Sequence, residues 1–426
     1  MAPGVLAAGV VDGAALEAEA TRARHESLWA RRSANSTSTV VGDIFALAAR
    51  PGTISLAGGN PDVDSLPLEL LGRSAARILS GQGSQALQYG GGQGTEELRR
   101  QICTVMALEG ISDADPEDVA VTIGSQSGLD TITKILCDPG DTVLTDDATY
   151  MGALGTFATY QVNVQPASTD ADGLVPDLLE RRISELRADG HRIKFLYTIP
   201  NFNNPTGVTL ASRRRQRIVD ICREANILVV EDNPYGLLRY EGALLPALRA
   251  GNSLDVLYLS SFSKIFAPGL RLGWALIPRH LKQRFLIAGG SSTLCPPAFN
   301  QMLTSAYLRD FNWQAQLDVS RGIYRQRRDA ILAALADQMP AGVTWTRPEG
   351  GFFTWLTLDP AVDTQALVFR AASAGVVVFH GDPFMPLNEP PNHLRLAFSA
   401  LSPELIVEGI GRLAPLIAAS GGGQVT

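Results

Sequence analysis

A regular alternation of short apolar stretches and helical segments runs through the middle of this chain and limits the folds open to it. Each stretch has the length and composition of a buried strand. The seven stretches are Val119–Ile123, Thr142–Thr145, Val162–Gln165, Phe195–Thr198, Ile227–Glu231, Val256–Leu259 and Trp274–Ile277. Because helical or loop segments separate them, the pattern predicts a doubly wound α/β domain around a seven-stranded, mostly parallel sheet. Ligands of such sheets bind outside the strand ends, so the loops after these strands are the candidate site.

The rest of the chain predicts a second, smaller unit. After Leu286 the pattern is mainly helical, and it ends in short strands near residues 343, 352–356, 376–379 and 393–398, which is typical of a small α+β domain. A chain of 426 residues is long enough for both units. The predicted divisions are a mobile N-terminal extension (1–30), an N-terminal arm with part of the small domain (31–70), a large ligand-binding domain (71–300) and a C-terminal small domain (301–426).

The composition excludes several classes of protein. A formal net charge of −7 argues against a nucleic-acid partner, because binding to a phosphate backbone depends on a basic face. No apolar run approaches the roughly 18 residues needed to span a bilayer, so no membrane partner is expected. The four cysteines and five histidines lack metal-ligand spacing, which predicts no metal site. Without a basic stretch before an apolar core near the N-terminus, we expect a cytoplasmic protein.

The loop after the sixth predicted strand carries the most informative chemistry. It contains Ser261, Ser263 and Lys264, and it continues through a Pro-Gly pair to Arg271. Hydroxyls, a loop backbone and a guanidinium suit a phosphate dianion, because each offers hydrogen-bond donors to its oxygens. A lysine beside such a site can form an imine with an aldehyde once it is partly deprotonated. A phosphate and an aldehyde together indicate pyridoxal 5′-phosphate.

The spacing of this loop strengthens that interpretation. Ser-Phe-Ser-Lys followed by Pro-Gly-Leu-Arg-Leu-Gly resembles the cofactor-lysine segment of fold-type I pyridoxal phosphate enzymes. More narrowly, the chain resembles class I/II aminotransferases of the 2-aminoadipate and kynurenine branch, from about Arg31 to about Pro415. The resemblance implies an aminotransferase that acts on an α-amino acid and a 2-oxo acid, with Lys264 as the imine-forming residue and the general acid and base. It also implies a homodimer with shared active sites.

A glycine-containing loop after the first predicted strand is a second anion-binding candidate. The helix that opens there presents free N–H groups and a positive dipole end, although a plain N-cap by Ser125 would give the same pattern. The residues that the resemblance assigns to the cofactor phosphate are Ser125, Gln126, Ser261 or Ser263, and Arg271. The family also uses a tyrosine of the neighbouring subunit at this phosphate, and Tyr89, in a Gly-rich loop, matches it.

Three further loops match the family's contacts to the cofactor ring. A carboxylate near the pyridine nitrogen keeps it protonated, and Asp232 fits this role, with Tyr235 as a donor to the 3′-oxygen. Asn204 belongs to an Asn-Pro-Thr-Gly motif that resembles the one whose asparagine binds the same oxygen. Asn203 stands where glutamine is common, a departure that could alter the pocket. Tyr150 matches the aromatic residue that stacks on the ring, although the pattern alone fits a core aromatic equally well.

The substrate contacts come from the resemblance as well. Arg395, in a late predicted strand, matches the arginine that pairs with the substrate carboxylate through its planar fork. Gly59 and Asn204 are the other two residues assigned to the substrate. No second cationic residue can be assigned to a distal carboxylate. The resemblance favours longer donors such as 2-aminoadipate, leucine-like or aromatic amino acids, with 2-oxoglutarate as acceptor.

Two other functions use related domains. Some bacterial transcription regulators join such a domain to an N-terminal winged helix, which needs on the order of 60 residues. Only about 30 residues precede the aminotransferase-like part, so this hypothesis fails. A lyase, decarboxylase or oxidative deaminase would use the same cofactor residues, because the bond that breaks depends on the pose of the substrate. The sequence leaves that alternative open.

Overall fold

The computed structural model of the protein describes residues 13–35, 39–387 and 392–421. The helices in these ranges are α1 (Gly13–Glu26), α2 (Thr39–Ala48), α3 (Leu68–Ala86), α4 (Glu96–Ala107), α5 (Gly124–Leu136), α6 (Met151–Thr159), α7 (Pro176–Ala188), α8 (Ser212–Glu224), α9 (Phe262–Ile265), α10 (Arg279–Thr293), α11 (Ala298–Asp310), α12 (Trp313–Gln338), α13 (Thr364–Ser373) and α14 (Pro403–Gly421). Short 3₁₀ turns cover Arg31–Asn35, Pro116–Asp118, Pro268–Leu270 and Asp382–Phe384.

The strands of the described residues fall into two main sheets and two short pairs. They are β1 (Ile54–Ser55), β2 (Val119–Thr122), β3 (Thr142–Asp146), β4 (Asn163–Ala167), β5 (Thr169–Asp170), β6 (Gly173–Leu174), β7 (Ile193–Thr198), β8 (Leu228–Asp232), β9 (Val256–Ser261), β10 (Gly273–Leu276), β11 (Thr344–Trp345), β12 (Phe353–Thr357), β13 (Val376–Val377), β14 (Phe379–His380) and β15 (His393–Ala397).

The larger sheet confirms the predicted fold class. Its seven strands lie in the order β2-β10-β9-β8-β7-β3-β4. Neighbours from β9 to β4 are parallel, whereas β10 is antiparallel to both β2 and β9. Apolar clusters lie on both faces of this sheet, and its central strands are buried on both sides; β9, for example, is buried at every residue. Each of the seven predicted strands is present to within two residues at either end.

The register of the parallel strands brings their carboxyl ends to one edge. Thr198 at the end of β7 pairs with Glu231, and Asp232 at the end of β8 pairs with Leu259 in β9. Asp146 ends β3 on the other side of β7. Residues that follow these strands therefore meet at this edge, as expected for the ligand site of a doubly wound sheet.

The smaller unit contains chain from both ends of the sequence. Its antiparallel sheet has the order β11-β12-β15-β14, and α12, α13 and α14 enclose an apolar core beside it. The parallel pair of β1 and β13 attaches the N-terminal segment to this unit. The four predicted divisions of the chain stay a prediction; of the extension predicted over 1–30, residues 1–12 lie outside the described part. Among the helices described, none combines the length and apolarity that a membrane crossing requires.

Candidate active site

A cavity of about 250 Å³ lies where the carboxyl edge of the large sheet faces the small sheet. The predicted site residues that line it are Gly59, Ser125, Gln126, Tyr150, Asn204, Asp232, Tyr235, Ser261, Ser263, Lys264, Arg271 and Arg395. These residues span more than 330 positions of sequence, yet the fold brings them around one space. Tyr89 is the predicted residue that the structure does not bring there; its side chain is 77% exposed beyond the end of α3.

Lys264 reaches the cavity from α9, directly after the buried strand β9. Its Nζ donates a 3.0 Å hydrogen bond to the carbonyl oxygen of Gly59 and lies 5.6 Å from the centre of the Phe352 ring. Burial lowers the pKa of Lys264 to about 8, and the cations of Arg395 and Arg271 add to this effect. The neutral amine, which can act as nucleophile or base, is therefore far more accessible near neutral pH than in an ordinary lysine.

Asp232 presents one free acceptor to the cavity from the end of β8. Its carboxylate is 4% exposed, and Oδ2 accepts a 2.8 Å hydrogen bond from the hydroxyl of Tyr197. Oδ1 is buried without a partner among the described residues. Burial raises the pKa of Asp232 to about 6, and the Tyr197 hydrogen bond opposes the rise. A buried carboxylate with one unsatisfied oxygen suits a cationic donor from a ligand.

Arg395 reaches the same cavity from β15. Its Nη1 donates to Oδ1 of Asn204 at 2.8 Å, and Nη2 donates to the carbonyl oxygen of Ala57 at 2.6 Å. The guanidinium carbon lies 4.4 to 4.9 Å from the centres of three rings, those of Phe353, Phe384 and Phe379. Its Nε is buried and unpaired within the described chain. Burial lowers the pKa of Arg395 to about 10, so the group is still cationic at neutral pH.

The start of α5 and the Arg271 side chain form another part of the lining, which is a candidate anion site. A Cβ added to Gly273 would lie 2.7 Å from the Gly124 carbonyl carbon and the Ser125 nitrogen, so only glycine lets β10 approach this closely. A Cβ on Gly124, whose φ is +73°, would lie 2.6 Å from Nη2 of Arg271. The two glycines thus bring a guanidinium against free helix N–H groups, an arrangement that favours a phosphate.

The serines and Gln126 have structural partners as well. Ser261 Oγ accepts a 3.0 Å hydrogen bond from the Ser263 backbone N–H and lies 2.8 Å from its hydroxyl, which caps α9. The Gln126 amide donates to Gly152 and Thr156 of α6, and its Oε1 has no partner among the described residues. The side-chain donors of Gln126 are therefore already used within the chain, so it offers an anion chiefly its backbone N–H.

The aromatic residues enclose the middle of the cavity. Tyr150 lies at the N-cap position of α6, and a Cβ on Gly152 would come within 2.4 Å of the Tyr150 ring, so this glycine leaves room for it. Tyr235 packs edge-on against Phe352 at 5.4 Å, and burial raises the pKa of its hydroxyl. Asn204, beside Tyr235 in the lining, already carries the Arg395 hydrogen bond.

Sequence reasoning missed several residues of this site. Tyr197 supports Asp232 from β7, and Phe45, Met151 and Ile199 add to the apolar part of the lining. Ile199 directly follows a strand end, which was a usable signal. The others depend on packing between distant segments. Asn203 does not line the cavity, because its amide turns toward β3.

The comparisons with known proteins agree with this geometry. The sequence model of the family described as "Aminotransferase class I and II" matches residues 51–413. The chain is 35% identical to aromatic-amino-acid aminotransferase 1 of Thermococcus litoralis over 400 residues, which covers 94% of this chain and 96% of the relative.

Solved structures are similar over almost the whole chain. The kynurenine aminotransferase of Pyrococcus horikoshii has a TM-score of 0.88 at 35% identity, covering 92% of this chain and 98% of that one. The alpha-aminoadipate aminotransferase of Thermus thermophilus, complexed with N-(5′-phosphopyridoxyl)-L-leucine, has a TM-score of 0.85 at 31% identity, with 92% and 98% covered.

Proposed function

Because the chain belongs to the class I and II aminotransferases, we propose that it transfers the amino group of an apolar or aromatic α-amino acid to a 2-oxo acid, in the cavity around Lys264. The protein is a pyridoxal 5′-phosphate-dependent transaminase, as the sequence predicted. The relatives compared above are aminotransferases, which favours transamination over elimination, decarboxylation or oxidation. The donor class and the roles of individual residues are our proposal.

The cavity residues fit the cofactor. Asp232 Oδ1, buried without a partner among the described residues, suits the cationic ring nitrogen, and the start of α5 with Arg271 suits the phosphate. Tyr150 would lie on one face of the ring, and Asn204 and Tyr235 would hold its 3′-oxygen. When bound, the cofactor supplies an electron-withdrawing ring that stabilises negative charge at the substrate α-carbon.

The position of Lys264 is the observation that carries the proposal. Its amine lies in the same cavity as a free carboxylate oxygen of Asp232 and the guanidinium of Arg395. Because its pKa is lowered to about 8, the neutral amine is accessible near neutral pH. We assign Lys264 to taking the proton from the substrate α-carbon and returning a proton during transfer.

Arg395 would bind the α-carboxylate of the substrate. Its Nε has no partner among the described residues, and its two Nη atoms each donate only once to the protein in that part of the chain. These donors and a full positive charge in a buried place suit a carboxylate. Simple amines, which lack that group, would leave the buried cation unpaired and bind more weakly.

The apolar part of the lining supports the choice of donor. Phe45, Met151, Ile199 and Phe353 border the cavity, whereas its described cationic residues are Lys264, Arg271 and Arg395. Each of these three has a proposed role already. A distal carboxylate would therefore lack a fourth cation in the described lining, which favours an apolar or aromatic side chain over an acidic one.

A homodimer is the assembly that we propose. The exposed side chains of Leu87, Tyr89, Ile287 and Leu294 lie on the segments around α3 and α10, and each is at least 60% exposed. Large exposed apolar side chains of this kind indicate a protein interface. Tyr89 would then complete the phosphate site of the partner.

The four cysteines are free thiols, consistent with a reducing, cytoplasmic setting.

A panel of amino acids tests the function. Purified holoenzyme is mixed with phenylalanine, leucine, 2-aminoadipate, aspartate and 2-phenylethylamine, and both the cofactor absorbance and the 2-oxo acid product are measured. We expect phenylalanine and leucine to convert the cofactor to its amine form with one equivalent of 2-oxo acid. A preference for aspartate or for the amine would contradict the proposed donor class. Release of ammonia, CO₂ or hydrogen peroxide in its place would contradict transamination.

A further inference from the structure

A buried carboxylate at the end of β3 holds the loop that carries Asn204. Asp146 is 5% exposed, and its Oδ2 accepts a 2.9 Å hydrogen bond from the side-chain amide of Asn203. Its Oδ1 accepts from Thr198 Oγ1 at 2.9 Å, and the backbone N–H of Ile199 donates to Oδ2 at 3.3 Å. Asp146 does not line the active-site cavity, so its position there calls for another explanation.

Both ends of the Asn203 amide are fixed. While Nδ2 donates to Asp146, Oδ1 lies 3.2 Å from both the backbone N–H and the hydroxyl of Thr206. Two backbone hydrogen bonds close the same turn, from Asn203 N to Val208 O and from Gly207 N to Asn203 O. The side chain of Asn203 thus bonds the turn to the large sheet through both ends of its amide.

Asn204, the residue after Asn203, contacts the cavity and not the large sheet. Asn204 lines the active-site cavity, and its Oδ1 accepts the hydrogen bond from Nη1 of Arg395. We propose that Asp146 and Asn203 are positioning residues for the substrate carboxylate: they fix the turn from which Asn204 orients the Arg395 guanidinium. The inference rests on the proposed role of Arg395.

The hydrogen bond between Asn203 and Asp146 has a donor side and an acceptor side, so exchanging the two side chains tests the proposal. An amide donates and a carboxylate accepts, so exchanging the two groups keeps one donor facing one acceptor. In Asn203→Asp, two carboxylates face each other in a buried place and can only share a proton. In Asp146→Asn, the carbonyl oxygen can still accept from Asn203 and Ile199 if the Thr198 hydroxyl turns to accept from the new NH₂ group, so this single variant should be the milder of the two. The double variant restores a donor at position 146 facing an acceptor at position 203, and it loses only the longer 3.3 Å bond from the Ile199 N–H.

The surroundings of Asp146 predict a pH signature. The groups bonded to it are Thr198, Ile199 and Asn203, and the titratable groups that interact with it electrostatically are Asp147 and Tyr197. Burial raises the pKa of Asp146 to about 7, and Asp147 adds to the rise. A second carboxylate at position 203 would bind the shared proton at low pH and repel Asp146 at high pH. The defect of Asn203→Asp should therefore grow as the pH rises.

The experiment measures the binding of two ligands between pH 6.5 and 8.5. Four holoenzymes are compared: the wild type, Asn203→Asp, Asp146→Asn and the double variant. One is α-methyl-L-phenylalanine, which has no α-proton to lose, and the other is 2-phenylethylamine, which lacks the carboxylate; both dissociation constants are read from the cofactor absorbance. We expect Asn203→Asp to weaken binding of the amino acid about tenfold or more at pH 8.5, and much less at pH 6.5. The amine should change by less than about twofold, and the double variant should recover most of the loss.

A matched control is Asn201→Asp, in the same loop. Asn201 Oδ1 accepts a 2.6 Å hydrogen bond from Nη2 of Arg215, so a new carboxylate there meets a cation, although the 2.9 Å bond from Asn201 Nδ2 to Oδ1 of Asn233 is lost. This variant should not show a pH-dependent loss of the amino acid. Thermal melting of all variants shows which of them are folded, and the double variant keeps the test valid if a single variant unfolds.

The outcomes separate this inference from the proposed function. If the wild-type holoenzyme binds the amine as tightly as the amino acid, the proposed carboxylate site fails. A second outcome is that the wild type prefers the amino acid, but the double variant binds it no better than the single variant with the lower affinity. The positioning inference would then fail, and the carboxylate site would stand. Equal losses for both ligands would likewise overturn the positioning role, because a general disturbance of the loop would then explain them.

Discussion

The hydroxyl of Tyr197 donates a hydrogen bond to Oδ2 of Asp232 and leaves Oδ1 of the same carboxylate turned to the cavity without a described partner. Tyr197 is the last residue but one of β7 and Asp232 ends the neighbouring parallel strand β8, so the sheet itself fixes their separation. One oxygen is therefore held by the protein, and the other is available to the cofactor ring.

We predict that Tyr197→Phe weakens cofactor binding about tenfold at pH 7, because a hydrogen bond to a charged group contributes about 1.5–3 kcal/mol. The Tyr197 bond opposes the rise in the pKa of Asp232, so the variant should raise that pKa above about 6. Asp232 would then take up its proton, and lose the cofactor, at a higher pH. Titration of the apoprotein with pyridoxal 5′-phosphate at several pH values measures both effects.

The control for this variant is Tyr258→Phe. It also removes a buried tyrosine hydroxyl, but one that donates to Glu109 outside the cavity lining. If both variants shift the pH dependence of cofactor affinity equally, Tyr197 has no particular role at Asp232.

The second prediction concerns Lys264. Reduction of the holoenzyme with borohydride should attach the cofactor to this residue alone among the four lysines of the sequence. The other three have partners elsewhere: Lys134 contacts Ser292, Lys194 pairs with Asp141, and Lys282 binds the carbonyl oxygen of Glu117. Peptide mapping identifies the site, and label on any other lysine would refute the assignment. Lys264→Ala should lower kcat by about 10²- to 10⁴-fold, as expected on losing a general acid and base.

The third prediction concerns the phosphate. Arg271→Ala should release the cofactor about ten to a hundred times more readily, because a charged hydrogen-bond partner of the dianion is lost. Dialysis followed by absorbance measures the retained cofactor. Arg279→Ala is the matched control, because that arginine is exposed and pairs with Asp115 and Asp118. Equal retention in the two variants would remove Arg271 from the phosphate site.

The fourth prediction concerns the partner chain. Tyr89→Phe and Lys264→Ala homodimers should each be impaired, the first in cofactor retention and the second in activity. If Tyr89 acts across the interface, a hybrid dimer contains one intact site and one site with both defects. Hybrids purified with two affinity tags should then have about half of the wild-type activity per dimer. If Tyr89 acts within its own chain, no hybrid site is intact and that recovery is absent.

The sequence predicted the sheet well because its strands are short, apolar and separated by helices, all of which are local properties. The place of β10 was not predictable in this way. Its sequence resembles that of its parallel neighbours, and only the sheet order reveals that it lies antiparallel between β2 and β9.

The site residues show the same contrast between local features, which the sequence predicts, and contacts between distant segments, which it does not. Lys264, Asp232 and Asn204 stand at or just after strand ends, where the fold class alone suggests a ligand. Tyr197 contacts Asp232 across 35 positions, and Asn203 contacts Asp146 across 57, so no local pattern joins either pair. Asn203 was noticed as a departure from the family, but its neighbour in space decides what it does. Gln126 matched a phosphate motif, whereas its amide binds α6.

The pairing of β1 with β13 has a consequence for how the cleft can move. Leu56 continues that pairing with backbone hydrogen bonds to Val377 and Ala397, so the segment before Gly59 is bonded to the small unit. The carbonyl oxygen of Ala57 accepts a hydrogen bond from Arg395. The carbonyl oxygen of Gly59 accepts one from Lys264, which belongs to the large unit. Any swing of the small unit would carry the Gly59 carbonyl and the Arg395 guanidinium as one piece. Such a swing would separate the Lys264 amine from the Gly59 carbonyl as it moves Arg395, so one hinge would change the surroundings of both the proposed base and the proposed carboxylate site.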